Sequence, residues 1–112
     1  MDNKPKKSGI KELAGYNFRS NLEVQHAMWL MSEQRAGRIV SFEYEKRYHL
    51  VVNDKKICDI IPDFTVTLPD GRVQIHEIKA DVTKTAEWRI KSNLFKALYP
   101  DWEYIINPRK II

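Results

Sequence analysis

The spacing of hydrophobic and polar residues changes along the chain, and each change marks an element. Over 20–36 the apolar positions recur at helical spacing. Leu22, Trp29 and Leu30 form a core stripe, with His26 and Ala27 alongside. Ser20-Asn21-Leu22-Glu23 fits a capping box, in which the serine caps the helix and Glu23 reaches back to it. Gly37 is the expected C-terminal stop. The period then shortens. Residues 39–47 are rich in β-branched and aromatic side chains, and 48–52 continue the pattern to a turn at Asn53-Asp54. Residues 56–61 lead into a strand over 63–68. Pro69-Asp70-Gly71 is a turn, with proline preset for it and glycine free to take positive φ, and 72–79 is the returning strand. A second helix is expected over 85–98, with Leu94, Phe95 and Leu98 as its stripe. Tyr99-Pro100-Asp101 ends it, and a last strand follows over 102–106. The order is helix, three or so strands, helix, strand. It predicts an α/β sandwich with helices packed on a mixed sheet.

A chain of 112 residues is one domain's worth, with a modest core. Residues 1–17 read as a basic arm, because Lys4, Lys6, Lys7 and Lys11 stand among Pro5, Ser8 and Gly9; residues 18–112 then form the domain. The arm is either a solvated terminus or a phosphate-contacting tail. With 43% hydrophobic and 30% charged residues the composition is that of an ordinary globular protein. The net charge of +4 favours a polyanionic partner, though weakly by itself. The single cysteine, Cys58, excludes a disulfide framework and is expected to be a reduced strand residue. No apolar run approaches a membrane span, and the first residues lack the apolar stretch of a secretory signal, so a cytoplasmic protein is expected.

Hairpin geometry locates the chemistry. If Pro69-Asp70-Gly71 is a three-residue connection, Leu68 pairs with Arg72. Asp63 and Glu77, each five residues from that pair, then face each other across an antiparallel ladder. Their Cβ atoms would lie about 5 Å apart. Lys79, two residues beyond Glu77, projects from the same face. Opposed carboxylates destabilise a sheet unless a cation sits between them, and an oxygen-rich site suits Mg²⁺. A lysine beside such an ion can orient a water and stabilise charge on a phosphorane. A one-residue slip of register would undo this geometry. The bland alternative is a polar strand end at Asp63 and a solvated face at Glu77 and Lys79. Val73 and Ile75 share that face, however, which argues for its partial burial.

Pro62-Asp63 followed by Glu77-Ile78-Lys79 resembles the signature of the PD-(D/E)XK nuclease superfamily. The order of elements also resembles its restriction-endonuclease-like α-β-β-β-α-β core. The resemblance covers roughly residues 18 to 106. It includes the Ser-x-x-Glu helix start, Ile61-Pro62-Asp63-Phe64, Asp70-Gly71, His76-Glu77-Ile78-Lys79, and Trp88, Lys91, Leu94-Phe95 and Tyr99-Pro100. That ordered set is similar to small phage and prophage proteins assigned to the superfamily, apart from Ala80, where glycine is expected. The resemblance implies that Asp63, Glu77 and the carbonyl of Ile78 ligate Mg²⁺, with Mn²⁺ able to substitute, and that Lys79 positions the water. It also implies that Glu23 assists the metal site and that Lys91 faces it from the second helix. Glu23 reads equally as the capping residue, and Lys91 as a lysine lying along the core edge. His76 alternates to the face opposite Glu77, and His26 and His49 lack metal-ligand spacing; none is expected to be a ligand.

The function expected is Mg²⁺-dependent hydrolysis of DNA phosphodiester bonds. A core this small has no evident base-reading segment, so shape and backbone recognition of branched DNA, Holliday junctions included, is the expected mode. Two active sites in a homodimer would cut two strands, and Trp102 or Tyr104 serves either a dimer face or the core. If phage-encoded, the protein would work in the host cytoplasm, in recombination or replication. The alternatives are a nicking or end-processing nuclease in a larger complex, and a non-catalytic nucleic-acid-binding module.

Overall fold

The computed structural model describes residues 12–13, 16–79 and 85–111. Two short strands, β1 (Glu12–Leu13) and β2 (Tyr16–Asn17), pair antiparallel ahead of helix α1 (Asn21–Arg35). Then come β3 (Ser41–Tyr44), β4 (Tyr48–Val52), β5 (Lys55–Ile60), β6 (Phe64–Thr67), β7 (Val73–Glu77), α2 (Ala86–Leu98) and β8 (Glu103–Ile106). The described residues form a mixed α/β structure with two helices and a mixed four-stranded sheet of order β3-β6-β7-β8. Its first three strands are antiparallel neighbours, and β8 runs parallel to β7 after the α2 crossover. The short β1–β2 pair falls within the segment expected to be a basic arm, whose four lysines lie outside the described residues, as does Ala80.

Local chemistry explains the boundaries. Ser20 caps α1, its Oγ accepting the Glu23 amide at 3.2 Å. The other half of the expected box is displaced by one residue, for Glu23 accepts the amide of Arg19. At the far end the Gly37 and Arg38 amides return to the carbonyls of Gln34 and Glu33, with Gly37 at φ +81°. This is a Schellman motif. The buried stripe of α1 is Glu23, Val24, Ala27, Leu30 and Glu33. Leu22 was expected in that stripe but is exposed, because two residues of helix place it about 200° round from Val24.

Among the described residues five strands separate the helices rather than three or so. The stretch expected as a strand over 39–47 is cut at Glu45, whose φ of +55° turns the chain out of the sheet. Asn53 and Asp54 both adopt positive φ, the requirement of a type I′ turn. They close β4 and β5 into a two-stranded sheet separate from the main one. A register shift beside Leu50 and Val51 bends this hairpin.

The main sheet has a core on each face. Toward α1 lie Phe18, Val24, Ala27, Leu30, Tyr44, Phe64 and Val66. Toward α2 and the β4–β5 hairpin lie Tyr48, Leu50, Ile60, Ile75 and Phe95, with Trp102 and Tyr104 packed against them. Cys58 is a free, half-buried strand residue beside this second core. The β6–β7 register pairs Phe64 with His76 and Thr67 with Val73, as the turn arithmetic requires. Leu68 accordingly bonds Arg72 at 2.9 Å, and Gly71 sits at φ +93°.

Phe64 is wholly buried between these elements. Truncation to alanine is expected to cost about 3–5 kcal/mol of unfolding free energy, whereas Ile90→Ala, at a position 69% exposed, stays within about 0.5 kcal/mol. Urea titrations of the two variants check this.

Candidate active site

The β6–β7 register carries one step past the end of β6 and sets Asp63 against Glu77 on the α2 face. Both are buried, at 6% and 4% exposure. The Asp63 Oδ2 accepts the Ile78 amide at 2.7 Å. Glu77 is held from the other side, its Oε2 accepting the Tyr104 hydroxyl at 2.5 Å and the Trp88 indole N–H at 3.5 Å. Trp88 stands in the first turn of α2, which Thr85 caps by accepting the Trp88 amide. Tyr104 neighbours Ile75 on the parallel strand and so reaches the same face as Glu77.

Burial, then the adjoining Glu77 and Glu23 carboxylates, push the Asp63 carboxyl up to about 7, although the Ile78 amide acts against the rise. Asp63 thus keeps its proton to near neutrality beside the second acid. Burial and the Glu77 charge likewise raise the Tyr104 phenol, so it remains a donor.

Lys79 follows β7. Its amide donates to Asn107 Oδ1 at 2.9 Å, and the Asn107 side-chain amide donates to the Lys79 carbonyl at 3.0 Å. Asn107 also returns its backbone amide to Glu77, at φ +51°. One residue after β8 therefore clamps the backbone of the Glu77-Ile78-Lys79 run. The Lys79 ammonium lies 5.7 Å from the centre of the Trp88 ring. Asp63, Glu77, Lys79 and Lys91 all line an open cleft of about 390 Å³, together with Arg19, Arg47, Asp59 and Glu87.

The structure brings the expected residues together to different degrees. Asp63, Glu77 and Lys79 share the cleft. Lys91 reaches it too, but its ammonium is paired with Glu87 at 3.0 Å one turn back on α2. Of Ile78, the group tied to the carboxylates is the amide, a donor to Asp63. Glu23 is buried beneath the site, where its Oε1 accepts the Tyr44 hydroxyl and the Arg19 amide. It meets Asp63 through Arg19, whose guanidinium lies 4.0 Å from Glu23, 3.7 Å from Asp63 and 2.8 Å from Glu45. Among the described residues no three His, Cys, Asp or Glu side chains converge as metal ligands. Two carboxylates remain, and two are what Mg²⁺ commonly takes from a protein, the rest being water and phosphate.

Sequence reasoning missed Arg19, Glu45 and Asn107; it named Trp88 within the resemblance and Tyr104 as a dimer-face or core residue, but not their hold on Glu77. Strand alternation extended to β8 would have found Tyr104. Arg19 and Asn107 lie outside the regular elements and carry no periodic signal. His26 and His76 do stay apart from Asp63 and Glu77. His76 is buried on the α1 face, its Nδ1 2.9 Å from His26 Nε2 and its Nε2 3.0 Å from Gln74 Oε1. Gln74 donates to Glu103, so its oxygen accepts from His76 and the donor order runs from His26 inward. Burial lowers His26 to about 4 and, with the His26 charge, His76 to about 3. Both are neutral structural residues.

The profile of a protein family described as "Protein of unknown function (DUF1064)" matches residues 4–111. The chain belongs to the DUF1064 family. No curated protein and no solved structure matches it. In this DUF1064 chain, as folded, none of the helices among the described residues is long and apolar enough to cross a membrane.

A carboxyl raised on folding binds its proton more tightly in the folded chain, so its stability cost is absent below about pH 4 and complete above about pH 7. Asp63→Asn removes that cost. In EDTA the variant's gain in unfolding free energy over the wild type is expected to be small at pH 4.5 and larger at pH 8, read by urea denaturation. An equal difference at both values would mean that Asp63 is not held protonated.

Proposed function

We propose that this DUF1064 chain is a divalent-metal-dependent DNA endonuclease with a restriction-endonuclease-like core. The observation that carries the reading is the opposed, buried pair Asp63 and Glu77 in an open cleft that also holds Lys79. A fold has no structural use for two adjacent buried carboxylates of which one, Asp63, is pushed up to about 7 by burial and by the charge of the other. The cost is understandable where a cation joins them during function.

In this reading Asp63 and Glu77 hold Mg²⁺, or Mn²⁺ in its place, with the Ile78 carbonyl as the further ligand that the superfamily resemblance implies. The ion, when bound, supplies Lewis-acid polarisation of the scissile phosphate and a more acidic water. Tyr104 and Trp88 occupy one oxygen of Glu77 and leave the other toward Asp63. Lys79, with its backbone clamped by Asn107, orients the attacking water and stabilises charge on the phosphorane. Arg19 balances the acidic cluster from the cleft mouth. Lys91 faces the cleft from α2 and contacts substrate once released from Glu87. Branched DNA is the substrate class, read by shape and backbone, and a homodimer presents one site to each strand.

Four-way junctions, flaps and plain duplex are the substrates for the test, each with Mg²⁺ or EDTA. Cleavage is expected with Mg²⁺, to vanish in EDTA and in Asp63→Asn, and to fall by about 10² or more in Lys79→Ala. Cleavage that persists in EDTA or in Asp63→Asn would overturn the assignment. Binding without cleavage under every condition would favour a nucleic-acid-binding module. A second measurement isolates Glu77's support: Tyr104→Phe is expected to weaken Mn²⁺ binding, read by paramagnetic resonance, by about tenfold. Unchanged affinity would remove Tyr104 from the site.

A further inference from the structure

The β4–β5 hairpin has two unlike faces. Its inner side chains Tyr48, Leu50 and Ile60 belong to the second core. On the outer face His49 and Asp59 are directly paired across the strands. Three cationic or titratable side chains converge there on Asp59. His49 Nδ1 lies 2.6 Å from Oδ1, Lys56 Nζ 3.1 Å from Oδ1, and Arg47 Nη1 3.0 Å from Oδ2. Arg47, His49 and Lys56 remain 56%, 60% and 52% exposed, while Asp59 is 23% exposed.

This arrangement differs from a scatter of surface ion pairs. One carboxylate cannot neutralise its neighbours: Arg47 and Lys56 leave a surplus of one positive charge, and protonation of His49 adds a second. Asp59 draws the three side chains side by side along the ribbon, so less rotamer entropy is lost when they bind an anion. Arg47 and Asp59 line the same cleft as Asp63, Glu77 and Lys79, and Ile60 and Ile61 join them there. The hairpin is therefore one wall of that cleft. A polymer whose phosphodiester reached the two carboxylates would lie against it.

We propose that the outer face of the β4–β5 hairpin is a backbone-binding surface for duplex DNA, holding phosphates adjacent to the one at Asp63 and Glu77. Arg47, His49 and Lys56 contact phosphate, and Asp59 is the positioning residue that aligns them. The inference rests on the reading of DNA as substrate but requires no cleavage.

Fluorescence anisotropy of a labelled duplex and a four-way junction in EDTA tests it. The variants are Arg47→Ala/His49→Ala/Lys56→Ala and the charge-retaining Arg47→Lys/Lys56→Arg, with Arg35→Ala at the far end of α1 as control. The triple variant is expected to bind about tenfold or more weakly at 100 mM salt, and its log–log salt slope to shrink by about 2 to 3 units. The charge-retaining variant should keep the wild-type slope, and circular dichroism melting guards against misfolding. Wild-type affinity and slope in the triple variant would overturn the hairpin assignment alone. Tight, hairpin-dependent binding of duplex RNA in preference to DNA would overturn the choice of partner. Binding by the wild type without metal-dependent cutting would overturn the nuclease reading and leave the hairpin surface standing. No DNA binding by the wild type would overturn both.

Discussion

Asp63 and Glu77 are held against each other in a buried place where burial and the neighbouring charge raise the Asp63 carboxyl, and the surrounding structure is arranged around that conflict. The turn at Pro69-Asp70-Gly71 sets their register. The Ile78 amide donates to one Asp63 oxygen, and the Tyr104 hydroxyl and Trp88 indole share one Glu77 oxygen, which limits the desolvation without removing the repulsion. Arg19 approaches from the exposed side, its guanidinium 3.7 Å from Asp63. The result is a buried carboxylate pair in which Asp63 favours its proton.

That rigidity comes from the two cores. Phe64 and Val66 face α1, while Thr65, Asp63 and Ile75 face α2, so both surfaces of the β6–β7 hairpin are covered. A slip by one residue would exchange the two sets and bury the wrong side chains on each face, which fixes the register more firmly than the turn alone could. On the α1 side the His26–His76–Gln74–Glu103 chain satisfies the polar groups that alternation forces inward. It places the neutral His76 imidazole next to Glu77 in sequence yet across the sheet from it. The cleft-lining face is thereby left to carboxylates, lysine, arginine and aromatic donors.

The β4–β5 hairpin follows from the same economy of faces. Glu45 breaks what would otherwise be one long strand, and the chain leaves the main sheet to lay Tyr48 and Leu50 on the second core. The hairpin thereby becomes a wall of the cleft instead of another sheet strand. Its outer charges are gathered on Asp59, whose own carboxyl is held well below the ordinary aspartate range by the hydrogen bonds from His49, Lys56 and Arg47.

Much of this was legible in the residues alone. The period of the apolar positions, the Ser20 cap, the Gly37 stop and the Pro69-Asp70-Gly71 turn determine two helices, the central hairpin and its register, because caps and tight turns are local chemistry. From the register alone come the opposition of Asp63 to Glu77 and the turning away of His76. Other features depended on contacts distant in sequence. Leu22 reads as core in the linear pattern but faces outward, since only packing decides which side of α1 meets the sheet. The splitting of 39–47, the detachment of the β4–β5 hairpin, the clamp of Asn107 on Lys79 and the approach of Arg19 to Asp63 were likewise decided in three dimensions. Periodicity assigns a residue to a face. Only the closed structure decides what that face meets.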